Sequence, residues 1–157
     1  MSKIFSLDEL LTFAIEIEKE GFIFYETAAN KTKNEEARTV YKLLAGEELK
    51  HEALFANLLE AKVDPAMNAK NLPEEYHQYM RAMVESAVFQ NDDPKLNPLA
   101  NDAEVITYAI GKEKDSILFY KEMKSFVLEG HYAVIDQIIH EEQLHILRLL
   151  DLREKVN

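Results

Sequence analysis

The 157-residue chain contains no Cys and no Trp, and only four Gly and four Pro. Without Cys there is no disulfide scaffold, no thiolate zinc site, no iron–sulfur cluster and no cysteine nucleophile. The scarcity of Gly and Pro predicts long uninterrupted elements. Positive charge is also in short supply. Lys and Arg number 18 against 29 Asp and Glu, a net charge of −11, which argues against nucleic acid or an anionic membrane surface as a partner. No apolar run approaches the roughly 18 residues of a membrane span. The opening stretch, residues 1–11, reaches Asp8 and Glu9 before any apolar block forms, unlike a signal peptide. The expectation is a soluble cytoplasmic protein. Its length suits one domain over residues 1–157, and 47% hydrophobic residues exclude low-hydrophobicity disorder.

The apolar spacing is helical nearly throughout. Ser6 and Glu9 form a capping box that should start a first long helix running to about Ala29. The polar segment Asn30–Asn34 predicts a short turn into a second helix, about Glu35 to Lys62. A third long helix should start near Asn101–Asp102, with Glu104 completing another capping box, and end at Gly130. A fourth should run from about His131 to Lys155. Between the second and third lie some forty residues carrying all four prolines, at 65, 73, 94 and 98, with room for a short helix from Pro73 to about Gln90. That segment is too long for a turn but long enough to return the chain to the other end of a bundle. The predicted fold is therefore all-α: a four-helix bundle of two hairpins joined by one long crossover, the ferritin-like arrangement.

Steps of three and four residues along each helix give the face that should be buried. The first reads Leu7, Leu11, Ala14, Glu18, Gly21, Tyr25, Ala28, and the third reads Ile106, Ala109, Glu113, Ser116, Tyr120, Met123, Val127. The second reads Ala37, Tyr41, Leu44, Glu48, His51, Phe55, Leu58, and the fourth reads Ile135, Ile138, Glu142, His145, Leu149, Leu152. The two halves repeat one pattern. Glu18 and Tyr25 match Glu113 and Tyr120 at an offset of 95, and Glu48 and His51 match Glu142 and His145 at an offset of 94. Phe24 and Phe119, Ala14 and Ala109, and the double acids Glu47-Glu48 and Glu141-Glu142 extend the match. The repeat predicts two similar hairpins about a pseudo-twofold axis, with the four polar sets meeting at mid-bundle.

Four carboxylates in a core need compensation, because burying an ionised carboxylate alone costs several kcal/mol. No Lys or Arg sits on the central part of any stripe. Two divalent cations would balance the four charges, and oxygen plus imidazole donors suit iron or manganese. One Glu from each of two helices plus Glu-x-x-His from each of the other two is a dimetal constellation of helical bundles. Residues i and i+3 share a helix face, so both members of each pair reach the same centre. The Glu-x-x-His spacing alone is weak, since a chain this rich in Glu produces it by chance. Glu74 and His77 make a third pair, in the crossover, without a repeat mate, and read as a solvated first turn. His131 and His140 read as surface or helix-end residues. Tyr25 and Tyr120 have two readings, ordinary core tyrosines or hydrogen-bond donors that orient a ligand carboxylate. Gly21 and Ser116 also have two, room for a small oxidant or a close helix contact.

Residues 18–25 (E-K-E-G-F-I-F-Y), 47–51 (E-E-L-K-H), 113–120 (E-K-D-S-I-L-F-Y) and 141–145 (E-E-Q-L-H) give a sequence that resembles the ferritin-like superfamily, and within it the rubrerythrin-like diiron proteins, over nearly the whole chain. The resemblance implies a carboxylate- or oxo-bridged diiron centre that reacts with hydrogen peroxide or O2. It implies as ligands Glu18, Glu48, His51, Glu113, Glu142 and His145. In this reading Glu48 and Glu142 bridge, Glu18 and Glu113 are terminal, and each His holds one iron. Manganese would accept the same ligands. Rubrerythrins usually carry a Cys-rich rubredoxin-type iron domain after the bundle. None is expected in this Cys-free sequence, so a separate electron-donor protein is expected. They also carry an extra carboxylate one turn past the third helix's ligand Glu, where this chain has Ser116. The resemblance further implies pairing into a homodimer. The expected function is a non-haem diiron oxidoreductase reducing peroxide or O2. A ferroxidase or iron-storage protein is the alternative, and a metal-free interaction module is a third.

Overall fold

Ser6 starts the first helix as its capping box predicts. Its hydroxyl accepts the Glu9 amide at 3.1 Å and the Glu9 carboxylate accepts the Ser6 amide at 3.2 Å, so two of the amides that a helix start leaves unpaired are satisfied reciprocally. The computed structural model describes residues 6–61, 74–87, 101–127 and 129–156. Within these, α1 spans Leu7–Lys31, α2 Glu35–Glu60, α3 Glu74–Ala87, α4 Asp102–Lys124 and α5 Tyr132–Val156, with a 3-10 turn at Glu129–His131 before α5. Asn34 caps α2 by accepting the Ala37 amide at 2.9 Å. Arg38 reaches back across the turn to donate to the Ala29 and Thr32 carbonyls at 3.2 and 2.7 Å. Asn101 and Glu104 form the second capping box, at 2.9 and 3.3 Å.

Four expectations are corrected. The first helix continues to Lys31 instead of ending at Ala29, and Thr32 caps it. The third long helix, α4, stops at Lys124 and does not reach Gly130. There the Ser125 hydroxyl competes for the helix's own carbonyls, donating to Glu122 O at 2.8 Å. The amides of Ser125, Phe126 and Val127 then bond three residues back, at 3.2, 2.9 and 3.1 Å, a tightened turn that places Phe126 and Val127 in the core. Likewise, His77 is no solvated first-turn residue. The amphipathic face of α3 consists of His77, Met80, Met83, Val84 and Ala87, all buried, while Glu74 is exposed. The second helix, expected to run to about Lys62, ends at Glu60 with Ala61 as its cap; the expected ends of the short helix at Pro73 and Gln90 and all four prolines lie outside the described residues.

Every residue of the four stripes is buried. The polar members form a layer across the bundle that divides the apolar core in two. One cluster joins Leu7–Ile17 of α1, Phe55 and Leu58 of α2, and Ile135–Ile139 of α5, with the end of α4 and the face of α3. The other joins Phe24–Ala29 of α1, Ala37–Ala45 of α2, Ile106–Ile110 of α4, and Leu149 and Leu152 of α5. The start of α1 thus shares an end of the bundle with the end of α2, and the start of α4 lies at the opposite end. The chain between α2 and α4 therefore crosses the bundle's length, as a two-hairpin arrangement requires. Among the described residues, no helix is long and apolar enough to cross a membrane.

Asp102, the first residue of α4, joins three helices at that far end. One carboxylate oxygen accepts from the Thr32 hydroxyl at 2.8 Å and the other from the fully buried Tyr41 hydroxyl at 3.0 Å. Burial and the adjacent Asp102 charge push the Tyr41 phenol well up, so it stays a neutral donor. Asp102→Ala leaves that phenol without its acceptor and should cost about 1–3 kcal/mol of stability. Urea denaturation at fixed metal content checks this, and a midpoint equal to that of the parent chain would contradict it.

Candidate metal centre

The four stripes bring Glu18, Glu48, His51, Glu113, Glu142 and His145 to one level of the bundle, each with at most 1% of its surface exposed. Their ligand-capable atoms fall into two sets of four. Glu18, Glu48, His51 and Glu142 form one, and Glu48, Glu113, Glu142 and His145 the other, all atoms within a set lying within 4.8 Å of one another. Glu48 and Glu142 belong to both sets. Each set therefore offers three carboxylates and one imidazole, a donor combination suited to iron or manganese.

The pseudo-twofold of the sequence is visible in the bonds. Tyr25 donates to Glu113 Oε1 and Tyr120 donates to Glu18 Oε1, each tyrosine reaching from one hairpin to the carboxylate of the other. Of the two readings of these tyrosines, the cross-hairpin hydrogen bond is the one realised. His51 and His145 stack with ring centroids 5.5 Å apart and planes 17° from parallel. Glu142 spans them, its Oε1 2.8 Å from His51 Nδ1 and its Oε2 2.9 Å from His145 Nδ1. The other ring nitrogens point outward. His51 Nε2 lies 2.7 Å from Glu141 Oε2, and His145 Nε2 lies 2.7 Å from Glu47 Oε2.

Electrostatics separates the two shared carboxylates. Burial and the charges of Glu18, Glu142 and Glu113 push Glu48 well up. Burial and Glu18 push Glu142 the same way, but the two imidazoles against it outweigh them and its carboxyl is held down. Burial and Glu142 raise Glu113 to about 7, even with His145 opposing. Burial alone would depress both histidines. The carboxylates around them reverse this, Glu142 and Glu18 lifting His51 to about 12, and Glu113 and Glu142 lifting His145 further. Both tyrosines are raised well above the ordinary phenol range, first by burial and then by the carboxylates they face, so they remain donors.

Hydrogen bonding does not exhaust this cluster. Glu18 Oε2, Glu48 Oε1, Glu142 Oε2 and His145 Nδ1 are buried without a hydrogen-bond partner, although His145 Nδ1 has carboxylate oxygens at 2.9 and 3.3 Å. Lone pairs crowded together at such distances without directional bonds are costly by themselves. They suit a cation that accepts them all. The residues present therefore fit a pair of divalent metal ions.

Glu47 and Glu141 are the functional candidates that the helical stripes left out. Periodicity places them beside the buried face, partly exposed, and the only trace of a role is that the double acid recurs in both halves. Their surroundings differ. Glu141 accepts from Gln137 at 3.1 Å, while Glu47 has Arg148 at 3.5 Å. Glu74 and His77 belong to neither four-residue set. His131 is half-buried and His140 exposed, and neither belongs to the two sets. The space beside Gly21 holds the Glu48 side chain, since an added Cβ would stand 2.5 Å from Glu48 Oε2. That leaves no room for an oxidant there.

The rubrerythrin family model matches residues 9–153. The chain belongs to the rubrerythrin family. Among solved structures, it is similar to one named as a candidate ferritin-like diiron-carboxylate protein from Thermotoga maritima, at 24% identity, with 100% of both chains covered and a TM-score of 0.79. That likeness shows the ferritin-like fold. No curated protein matches the chain. In this member of the rubrerythrin family, the position one turn past Glu113 is Ser116, whose hydroxyl donates to its own helix at Lys112 O, 3.0 Å away.

A carboxylate accepting from the outer nitrogen fixes an imidazole's orientation and raises its basicity toward a metal. Glu141→Gln and Glu47→Gln should each weaken Mn2+ binding by about 10–100-fold while leaving the helix content unchanged. Competition against a chelator measures this, and unchanged affinity in both variants would contradict the role.

Proposed function

We propose that this rubrerythrin-family chain is a diiron-carboxylate oxidoreductase that reduces hydrogen peroxide or O2 with electrons from a separate donor protein. The observation that carries the reading is the pair of buried four-residue sets sharing Glu48 and Glu142. Glu18 and His51 would hold one iron, Glu113 and His145 the other, and the two shared carboxylates would bridge. When bound, a ferrous pair supplies two electrons and two adjacent Lewis-acid positions for the oxidant. Manganese accepts the same donors.

The chain's own groups prepare this centre. Tyr25 and Tyr120 hold Glu113 and Glu18 through their donated bonds, fixing which oxygen stays free for a metal. Glu141 and Glu47 aim the inner nitrogens of His51 and His145 at the cluster by binding the outer ones. The apolar clusters on either side restrict bulk water and the side reactions it brings. Glu47 and Glu141 also link each histidine to the partly exposed surface.

Anaerobic loading with Fe2+, native mass measurement and single-turnover oxidation test the proposal together. The expected result is two irons per chain in a small oligomer such as a homodimer, oxidised by peroxide or O2 and re-reduced by an added donor. Uptake of many irons per chain into a large shell would instead identify an iron-storage protein. Glu142→Ala removes a donor from both sets and should leave at most one tightly bound iron. If that variant binds two irons normally, the ligand assignment is wrong.

A further inference from the structure

Gly21 lies in the middle of α1, on its buried face, where glycine weakens a helix relative to alanine. The three atoms nearest a Cβ at this position would all belong to the Glu48 side chain: Oε2 at 2.5 Å, Cδ at 3.2 Å and Cγ at 3.4 Å. The first distance is far inside van der Waals contact. Gly46 and Gly111, also within helices, have nothing within 4 Å of the same added atom. The close approach is thus a property of Gly21 alone among these three. Glu48 cannot keep its position beside any other residue.

That position matters because Glu48 lies within both four-residue sets. The opposite shared carboxylate, Glu142, is held by two imidazole contacts at 2.8 and 2.9 Å. Glu48 has a single, longer one, 3.3 Å from His145 Nδ1, and its Oε1 has no hydrogen-bond partner. Glu142 has a hydrogen bond between its Oε1 and His51 that Glu48 lacks, although one oxygen of each is unpartnered; Glu48 is seated in the notch that the missing side chain leaves in α1. The repeat breaks at this point. The residue matching Gly21 is Ser116, which has a side chain, buried and bonded to its own helix.

We propose that Gly21 is the positioning residue that lets the Glu48 carboxylate reach both metal positions, and thereby decides whether the centre takes two ions or one. The inference rests on the dimetal reading above. A side chain at residue 21 displaces the Glu48 carboxylate toward one set or out of both. The nearest atom is the end of a flexible side chain, so the helix itself tolerates the change and the loss falls on the metal pair.

Mn2+ binding to the full chain tests this, read by stoichiometry and by electron paramagnetic resonance, which distinguishes a spin-coupled pair from an isolated ion. The parent chain should bind two coupled Mn2+. Gly21→Ala should weaken the second by at least tenfold and give the signal of an isolated ion, while Gly46→Ala and Gly111→Ala behave as the parent. In a Glu48→Ala background, Gly21→Ala should have no further effect on Mn2+ binding, because the clash it creates has no partner. If Gly21→Ala does not fold, folding of the Gly21→Ala/Glu48→Ala double variant supports the same contact, and failure of both overturns it. Two coupled Mn2+ in Gly21→Ala, with unchanged affinity, overturns the inference alone. A parent chain that binds no Mn2+ overturns the dimetal reading and this inference with it.

Discussion

Four carboxylates buried at the centre of a helical bundle are the constraint on which the rest of this structure depends. Glu18, Glu48, Glu113 and Glu142 each have at most 1% of their surface exposed, and uncompensated they would cost more than a bundle of this size has to spare. The surrounding structure answers that cost group by group. Two tyrosines donate to Glu113 and Glu18, two imidazoles bracket Glu142, and two outer carboxylates steady the imidazoles. What remains is a set of buried oxygens and one nitrogen without partners, which a pair of divalent cations would satisfy.

The internal repeat explains how one chain builds such a layer. Each hairpin supplies a carboxylate, a tyrosine and a Glu-x-x-His pair. Each tyrosine and each outer glutamate serves the opposite hairpin. The bonds crossing the pseudo-twofold therefore tie the two hairpins together at the same level as the proposed metal pair. The symmetry is not complete. Arg148 beside Glu47 and Gln137 beside Glu141, and Gly21 against Ser116, give the two metal positions different surroundings.

Much of this was legible in the sequence, because burial follows the helical period. Steps of three and four placed all six cluster residues and both tyrosines on inward faces, and the capping boxes at Ser6 and Asn101 marked two helix starts. The period says which face a residue occupies, but not what crosses to meet it. Glu47 and Glu141 lie just beside the stripe, so their bonds to histidines of the facing helix could not be read from one helix at a time. Gly21 read equally as room for an oxidant or as a close helix contact, since its neighbour Glu48 comes from a different helix. The end of α4 was misplaced because Phe126 and Val127 continue the apolar pattern while the backbone tightens at Ser125. His77 resembled a solvated residue because α3 is short and strongly charged at its start, yet its amphipathic face runs through His77 to Ala87.

The central claim is that the buried Glu and His layer holds two metal ions. Anomalous diffraction at the iron edge, from crystals loaded anaerobically with Fe2+, tests it most directly. The account predicts two anomalous peaks per chain, one against Glu18 and His51 and one against Glu113 and His145, with Glu48 and Glu142 between them. A single peak, or iron bound only at surface carboxylates with the central layer free of density, would contradict it.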